Sequence, residues 1–226
     1  AGEAFPAWRH SRLAPLWRQA IIPGFVAALR PATAIAFVSS CPVMSSPTPS
    51  PLRSIPSAVR ALRHMHVDDV PRVLTIQRAC YAPETVEAEA VIRRRLAVAP
   101  DTAWVAENED GVCAYLVGYR SQFGKLTPLG GDFEPIADGD SLYLHDLAVS
   151  TEAAGSGAGR ALIEHAWAQG RRSGLKYSAL VSVQDSRAFW QKRGYQVIAN
   201  LGVEQRQRLA TYAGPSYYMV RELAGC

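Results

Sequence analysis

Hydrophobic positions fall into two periods along the chain, and the switches between them mark out elements from Val59 onward. Val59 to Met65 alternates, with Val59, Ala61 and Met65 on one face, and predicts a first strand. Asp68 and Asp69 are N-cap candidates, and Pro71 suits a first helical turn. Val70, Val73, Leu74, Gln77 and Arg78 then keep helical spacing, with Ile76 and Cys80 widening the apolar side. A second helix is predicted over residues 85–98, with Ala88, Val91, Ile92 and Leu96 inward and Arg93, Arg94 and Arg95 on a solvated side. Two strand-like runs, 104–107 and 112–120, flank the hairpin turn Asn108-Glu109-Asp110-Gly111. Residues 121–140 form a Gly/Pro-rich loop. A buried strand follows through Leu142, Tyr143, Leu144, Leu147 and Val149, then a small-residue turn, then a helix with Leu162, Ile163, Ala166 and Trp167 at helical spacing. The tail predicts a strand at 177–183, a short helix at 186–193 closed by Gly194, and an antiparallel pair at 195–203 and 216–223.

The first 58 residues carry no sustained period. Their apolar pieces are cut by Pro23, Arg30 and Pro31, which breaks the only window long enough for a transmembrane helix of about 20 residues. Arg9, Arg12 and Arg18 give a basic start like that of a signal peptide, but Arg30 interrupts its apolar core; an arginine-rich, acid-poor leader also resembles an organelle transit peptide. Met44 opens a Pro/Ser-rich linker. The expectation is a weakly ordered N-terminal extension over 1–58, with the natural start at Met44, and one domain over 59–226.

Charge and cysteine content narrow the classes. The net charge is +4, yet the first 67 residues hold seven arginines and one acid, a balance of +6 that leaves −2 for the rest. A basic nucleic-acid face on the domain is therefore not indicated, nor is a membrane surface. Cys41, Cys80, Cys113 and Cys226 form no C-x-x-C pair, which argues against a zinc site or a disulfide framework and suits the cytoplasm. No metal is expected.

The strand, glycine turn and helix over 142–172 have the layout of a phosphate cradle, in which close backbone N–H groups and a helix start face an anion. Counting from Gly155 or Gly157, the third glycine of a dinucleotide turn would fall on Arg160 or Leu162, and no lysine supplies a P-loop. What remains is Gly155-Ser156-Gly157-Ala158-Gly159 after a strand ending Leu147-Ala148-Val149. This resembles the pyrophosphate loop of the GNAT acyltransferases, although Ala154 stands where that family has Arg or Gln. Ala188-Phe189-Trp190-Gln191-Lys192-Arg193-Gly194-Tyr195 resembles the family's late motif, and the element order β-α-α-β-β-β-α-β-α-β-β is the family's over residues 59–223.

The resemblance implies an α/β (α+β) GNAT fold, a mixed, mostly antiparallel sheet with helices on both faces. It implies an N-acetyltransferase that moves an acetyl group from acetyl-CoA to a primary amine by direct attack. The pantetheine arm would pair with the strand at Leu147 and Val149, and the pyrophosphate would rest on residues 154–159. Arg160 could add charge to the phosphates, and Trp190 could pack against the arm. His145 is the first choice for general base, since its ordinary pKa near 6.5 suits proton removal near neutrality. Leu144-His145-Asp146-Leu147-Ala148-Val149 is similar to the strand of serotonin-type arylalkylamine acetyltransferases, where a histidine has this role. Asp146 is the second catalytic candidate: alternation sends it to the opposite face, where it could orient a loop, or, if the strand bulges, it could take the basic role itself. Many family members carry tyrosine at the place of Trp190 to protonate the thiolate; Tyr195, Tyr217 and Tyr218 are stand-ins. Acids in the 121–140 loop and the aromatics Tyr81, Phe123, Tyr212, Tyr217 and Tyr218 are candidates for an acceptor pocket. The expected partners are a small amine acceptor and a second copy of the chain. The rival reading is a catalytically silent acyl-CoA-binding module.

Overall fold

The computed structural model describes residues 58–212 and 214–223; the readings of the leader, the Met44 linker, Cys41 and Cys226 lie outside the described residues. Seven strands form one sheet: β1 (Ala61–His64), β2 (Ala103–Asn108), β3 (Gly111–Ser121), β4 (Ser141–Val149), β5 (Tyr177–Ser182), β6 (Gln196–Val197) and β7 (Tyr217–Glu222). Their spatial order is β1-β2-β3-β4-β5-β7-β6, and every neighbouring pair is antiparallel except β4 with β5. Helices α1 (Val70–Cys80) and α2 (Glu89–Val98) cover one face, together with Leu126 and Phe133 of the β3–β4 loop. Helix α5 (Val203–Leu209) leans on this face through Leu209. The other face is covered by α3 (Ala158–Arg172) and α4 (Arg187–Gln191). The sheet is thus sandwiched between helices, the α/β architecture read from the sequence. Its two faces bury separate apolar sets, where each fully buried Leu or Ile, such as Leu162 and Ile163 of α3, contributes about 1.5–3 kcal/mol.

Several expectations change. On the edge strand β1, Val59 and Leu62 pack on the α3 face while Met65 joins the α1 face and Ala61 is exposed, so Val59, Ala61 and Met65 do not share a face. Helix α2 begins at Glu89, not at residue 85: a 3-10 turn over Pro83–Thr85 is followed by extended Val86, which lets Glu87 turn into the interior. Arg95 is buried against Glu87, leaving only Arg93 and Arg94 on the solvated side. The expected long strand at 195–203 is the two-residue β6, and α5 was not anticipated.

Candidate active site

The centre of the sheet holds the site because β4 bulges. Val117 of β3 pairs with Asp146, but Gly118 pairs with Leu144, so His145 is an extra residue on β4. The insertion breaks the alternation, and His145 and Asp146 both point to the α1 face. The expectation of opposite faces is corrected for this reason. His145 lies 5.3 Å edge-on from Phe133 and 6.1 Å from Tyr143, and Asp146 meets α1 and β3.

The bulge coincides with a parting of strands. The β4–β5 ladder runs from Ser141 to Leu144 and ends there, while β5 continues against β7 alone. The amide of Ser150 donates to Cys113 O, and by antiparallel alternation the N–H and C=O of Leu147 and Val149 face away from β3, into this opening. The end of α1 overlooks it: the Tyr81 hydroxyl is 3.0 Å from Leu147 O and the Cys80 thiol 3.1 Å from Val149 O.

Two polar networks flank the opening. In one, the Asp146 carboxylate accepts from the Tyr115 hydroxyl at 2.6 Å, Gln77 Nε2 at 3.2 Å and the Tyr81 hydroxyl. Burial first, and then the Asp146 charge, push both phenols well above their usual range, so they stay protonated at neutral pH. In the other, Glu87 Oε1 lies 3.5 Å from His145 Nε2 and accepts from Arg95 Nη2 at 2.7 Å and the Gly130 amide at 3.1 Å; Arg95 Nη1 binds Oε2. Burial raises the Glu87 carboxyl, but hydrogen bonding and charge from His145, then from Arg95, outweigh it and hold the group at about 2. Gln77 joins the networks, accepting from the Glu87 amide at 2.9 Å through Oε1 while its Nε2 serves Asp146.

The glycine turn lies past the end of β4. Gly155 and Gly157 have φ of +86° and +88°, a conformation that suits glycine, and Gly157 is the N-cap of α3. A Cβ at Gly159 would stand 3.1 Å from Val149 Cγ2, so this glycine lets the helix start close against the strand. The Ala158 amide meets Ser156 Oγ at 3.3 Å, while the N–H groups of Gly159 and Arg160 belong to the first turn, which has no helical acceptor. Ala154 is exposed in the turn. Arg160 is exposed too and pairs with Glu164 at 2.7 Å along the helix.

Other candidates lie apart. Trp190 is buried on the α3 side, edge-on to Tyr195 at 5.2 Å and Phe189 at 5.0 Å. Tyr195 is fixed by Ser178 and Trp167, and burial pushes it up to about 12. Tyr218 serves the Gly124 amide, and Tyr217 lies under Arg187. Three of the loop acids are engaged, Asp132 with Arg94, Glu134 with Lys125 and Arg208, and Asp140 with the Phe123 amide and Ser141, and Asp138 is exposed. The five aromatics proposed for a pocket are thus spread over different partners. A groove of about 1120 Å³, lined by Arg160, Trp167, Lys192, Arg193 and Arg221 among others, skirts β6 and is not lined by His145 or Asp146. Gln77, Glu87, Arg95 and Tyr115 are absent from the sequence-derived site. Gln77 left one signal, a polar residue inside an apolar helical stripe.

Among the described residues no group of His, Cys, Asp and Glu is arranged to hold a metal, and no helix is long and apolar enough to cross a membrane. A bulged central strand, parting neighbours and a glycine turn at a helix start are the features of the sheet that bear on its class. The model of the acetyltransferase (GNAT) family matches residues 70–195, and the chain belongs to that family. No curated protein matches the chain. Among solved structures, the chain is similar to the GphF GNAT-like decarboxylase in complex with isobutyryl-CoA, at 17% identity and TM-score 0.61, covering 73% of this chain and 100% of that one. It is similar to Ard1 from Thermoplasma volcanium at 18% identity and TM-score 0.55, with 73% and 98% covered. The ribosomal-protein-S18-alanine N-acetyltransferase from Escherichia coli follows at 13% identity and TM-score 0.51, with 74% and 95% covered.

Proposed function

We propose that the protein is an N-acetyltransferase that moves the acetyl group of acetyl-CoA to the primary amine of a small acceptor, with His145 as general base. The observation that carries this reading is the β4 bulge, which brings an imidazole beside a strand edge whose backbone is open. Leu147 and Val149 offer N–H groups to an amide-bearing arm, as β5 would, beside carbonyls already in contact with the Tyr81 hydroxyl and the Cys80 thiol. The Gly155–Gly159 turn and the first-turn N–H groups of α3 suit a pyrophosphate. The lone pair of the neutral amine attacks the thioester carbonyl, and His145 takes the proton that the nitrogen sheds as the C–N bond forms; as the C–S bond breaks, negative charge collects on sulfur. The hydroxyl nearest that opening is Tyr81, which stays protonated; its one proton is held by Asp146 and turns from that carboxylate to the leaving sulfur as charge collects there. It replaces Trp190 and Tyr195 in this reading, since both are held on the opposite face.

A small acceptor is favoured because the His145 side is walled. Leu126 N is bonded to Gln205, Leu129 N to Thr211, and Thr127 O to the Tyr212 hydroxyl, which ties the β3–β4 loop to α5 and the turn after it.

The test is thermal unfolding of the full chain with acetyl-CoA and, as control, NAD, followed by CoA release with a panel of primary amines. Ligand at 100 times its dissociation constant adds about 2.7 kcal/mol, a rise of roughly 5–11 °C for a domain of this size. A rise with acetyl-CoA alone, and amine-dependent CoA release lost in His145→Gln, is the expected result. A rise without CoA release from any amine would favour the silent acyl-CoA-binding module. No rise would defeat both.

A further inference from the structure

We propose that Glu87 is the positioning residue for His145: its carboxylate holds the imidazole as the Nε2–H tautomer, so that Nδ1 is the atom that takes the proton from the amine. The inference rests on the reading of His145 as base. The two side chains are almost wholly enclosed, at 3% exposure for His145 and 7% for Glu87, with Nε2 turned to Oε1 at 3.5 Å. Nδ1 is buried and has no hydrogen-bond partner. Placing the hydrogen on Nδ1 would strand a buried donor and turn the Nε2 lone pair against a carboxylate. Placing it on Nε2 satisfies the carboxylate and leaves a lone pair at Nδ1.

Arg95 completes the device. It is itself buried, grips both carboxylate oxygens and anchors on Gly131 O at 2.6 Å and 3.0 Å. Glu87 therefore stays ionised, and a proton gained at Nδ1 remains on the imidazole rather than passing to the carboxylate. The N–H bond of the amine breaks and an Nδ1–H bond forms; the imidazolium charge is balanced by Glu87. After the C–S bond breaks, Nδ1 gives its proton to the departing thiolate, which restores the neutral ring and leaves the CoA thiol. The groups facing the imidazole are Glu87 and Arg95 from the α2 segment, and Asp146 and Tyr143 from its own strand. Phe133 faces it from the β3–β4 loop, and Tyr212, adjoining Tyr143, comes from the segment after α5. Burial raises both phenols, so they stay protonated at neutral pH.

Two measurements test this. In the wild-type full chain, long-range ¹⁵N–¹H correlation of the His145 ring is expected to show hydrogen on Nε2 and none on Nδ1; the opposite tautomer would overturn the proposal without any variant having to fold. In Glu87→Gln, kcat for acetyl-CoA and an amine found in the panel should fall about 10–100-fold. The acid limb of its pH profile should move to lower pH, because the imidazolium has lost its counter-charge, and Glu87→Asp should recover part of both. An acid limb that stays in place in a folded Glu87→Gln would also overturn the proposal. If His145→Gln keeps full turnover, the base assignment itself fails and this inference with it; if His145→Gln is inactive and the tautomer or the limb is wrong, only the role of Glu87 fails.

Discussion

Gly118 is the β3 residue opposite the bulge, and a Cβ built on it would stand 2.4 Å from Tyr143 O and 3.3 Å from the carbonyl carbon. Carbon–oxygen contacts settle at about 3.3–3.6 Å, so Gly118→Ala forces β3 and β4 apart by roughly 1 Å. The obstacle is backbone, which cannot swing aside as a side-chain tip does. Overpacking of this kind costs about 1–3 kcal/mol, or a fall in Tm of roughly 2–12 °C at this size. The displaced segment, Tyr143 to His145, carries the proposed base, and a shift of about 1 Å can lower turnover about 100-fold. Urea unfolding of Gly118→Ala gives the first number, and CoA release at saturating acetyl-CoA gives the second. A variant within about 0.5 kcal/mol of its parent and fully active would refute the claim that this close approach builds the site.

Three further outcomes are expected. Tyr81→Phe removes one hydroxyl from the opening; if that hydroxyl serves a developing thiolate, a bond to a charged group worth about 1.5–3 kcal/mol is lost, and stopped-flow CoA release should slow tenfold or more with acetyl-CoA affinity held. Gly157→Ala meets no atom within 4 Å, so its cost is the left-handed backbone alone, about 1–2 kcal/mol by urea unfolding, and a larger loss would mean that the turn packs against something else. Glu87 is held at about 2 against an ordinary 4.5, so the unfolded chain binds the proton first. The stability it contributes is complete above about pH 4.5, is lost as pH falls toward 2, and is about 3 kcal/mol. Urea midpoints between pH 5 and 2 should drop more steeply in the wild type than in Glu87→Gln, and equal drops would count against the buried pair.

The architecture was legible because its elements are long and strongly patterned. The glycine turn at Gly155–Gly159 and the closing Gly194 sit where spacing placed them, and both keep positive φ at the turn positions that need it. The polar site was half legible. His145 could be found on the central strand, yet its partner could not, because Glu87 lies in a stretch that reads as a helix start. Pro83 instead opens a 3-10 turn there, and the extended backbone at Val86 drops the carboxylate inward. Arg95 looked like one of three solvated arginines, since a helical face alone cannot say which arginine will find a buried acid. Trp190 was placed by motif, but the ring follows its apolar neighbours into the opposite core. The face of Asp146 was misjudged for a different reason, since a bulge shifts the period of a strand by one residue and leaves no mark in composition.

That single extra residue links the two halves of the proposed chemistry. A bulge bends its strand and increases its twist, and the ladder to β5 ends at Leu144, the residue immediately before His145. The opening of Leu147 and Val149 and the turning of His145 and Asp146 to one face are therefore consequences of one event. The two can be separated by experiment. His145→Gln keeps the bulge and removes only the proposed base, so acetyl-CoA should still raise the unfolding temperature while turnover is lost. Deleting His145 restores regular pairing between β3 and β4, since one residue is all that separates their two registers. Such a variant should lose the acetyl-CoA rise and the turnover together. If it keeps the rise, the strand opening does not depend on the bulge, and the backbone edge and the polar cluster arose from separate causes.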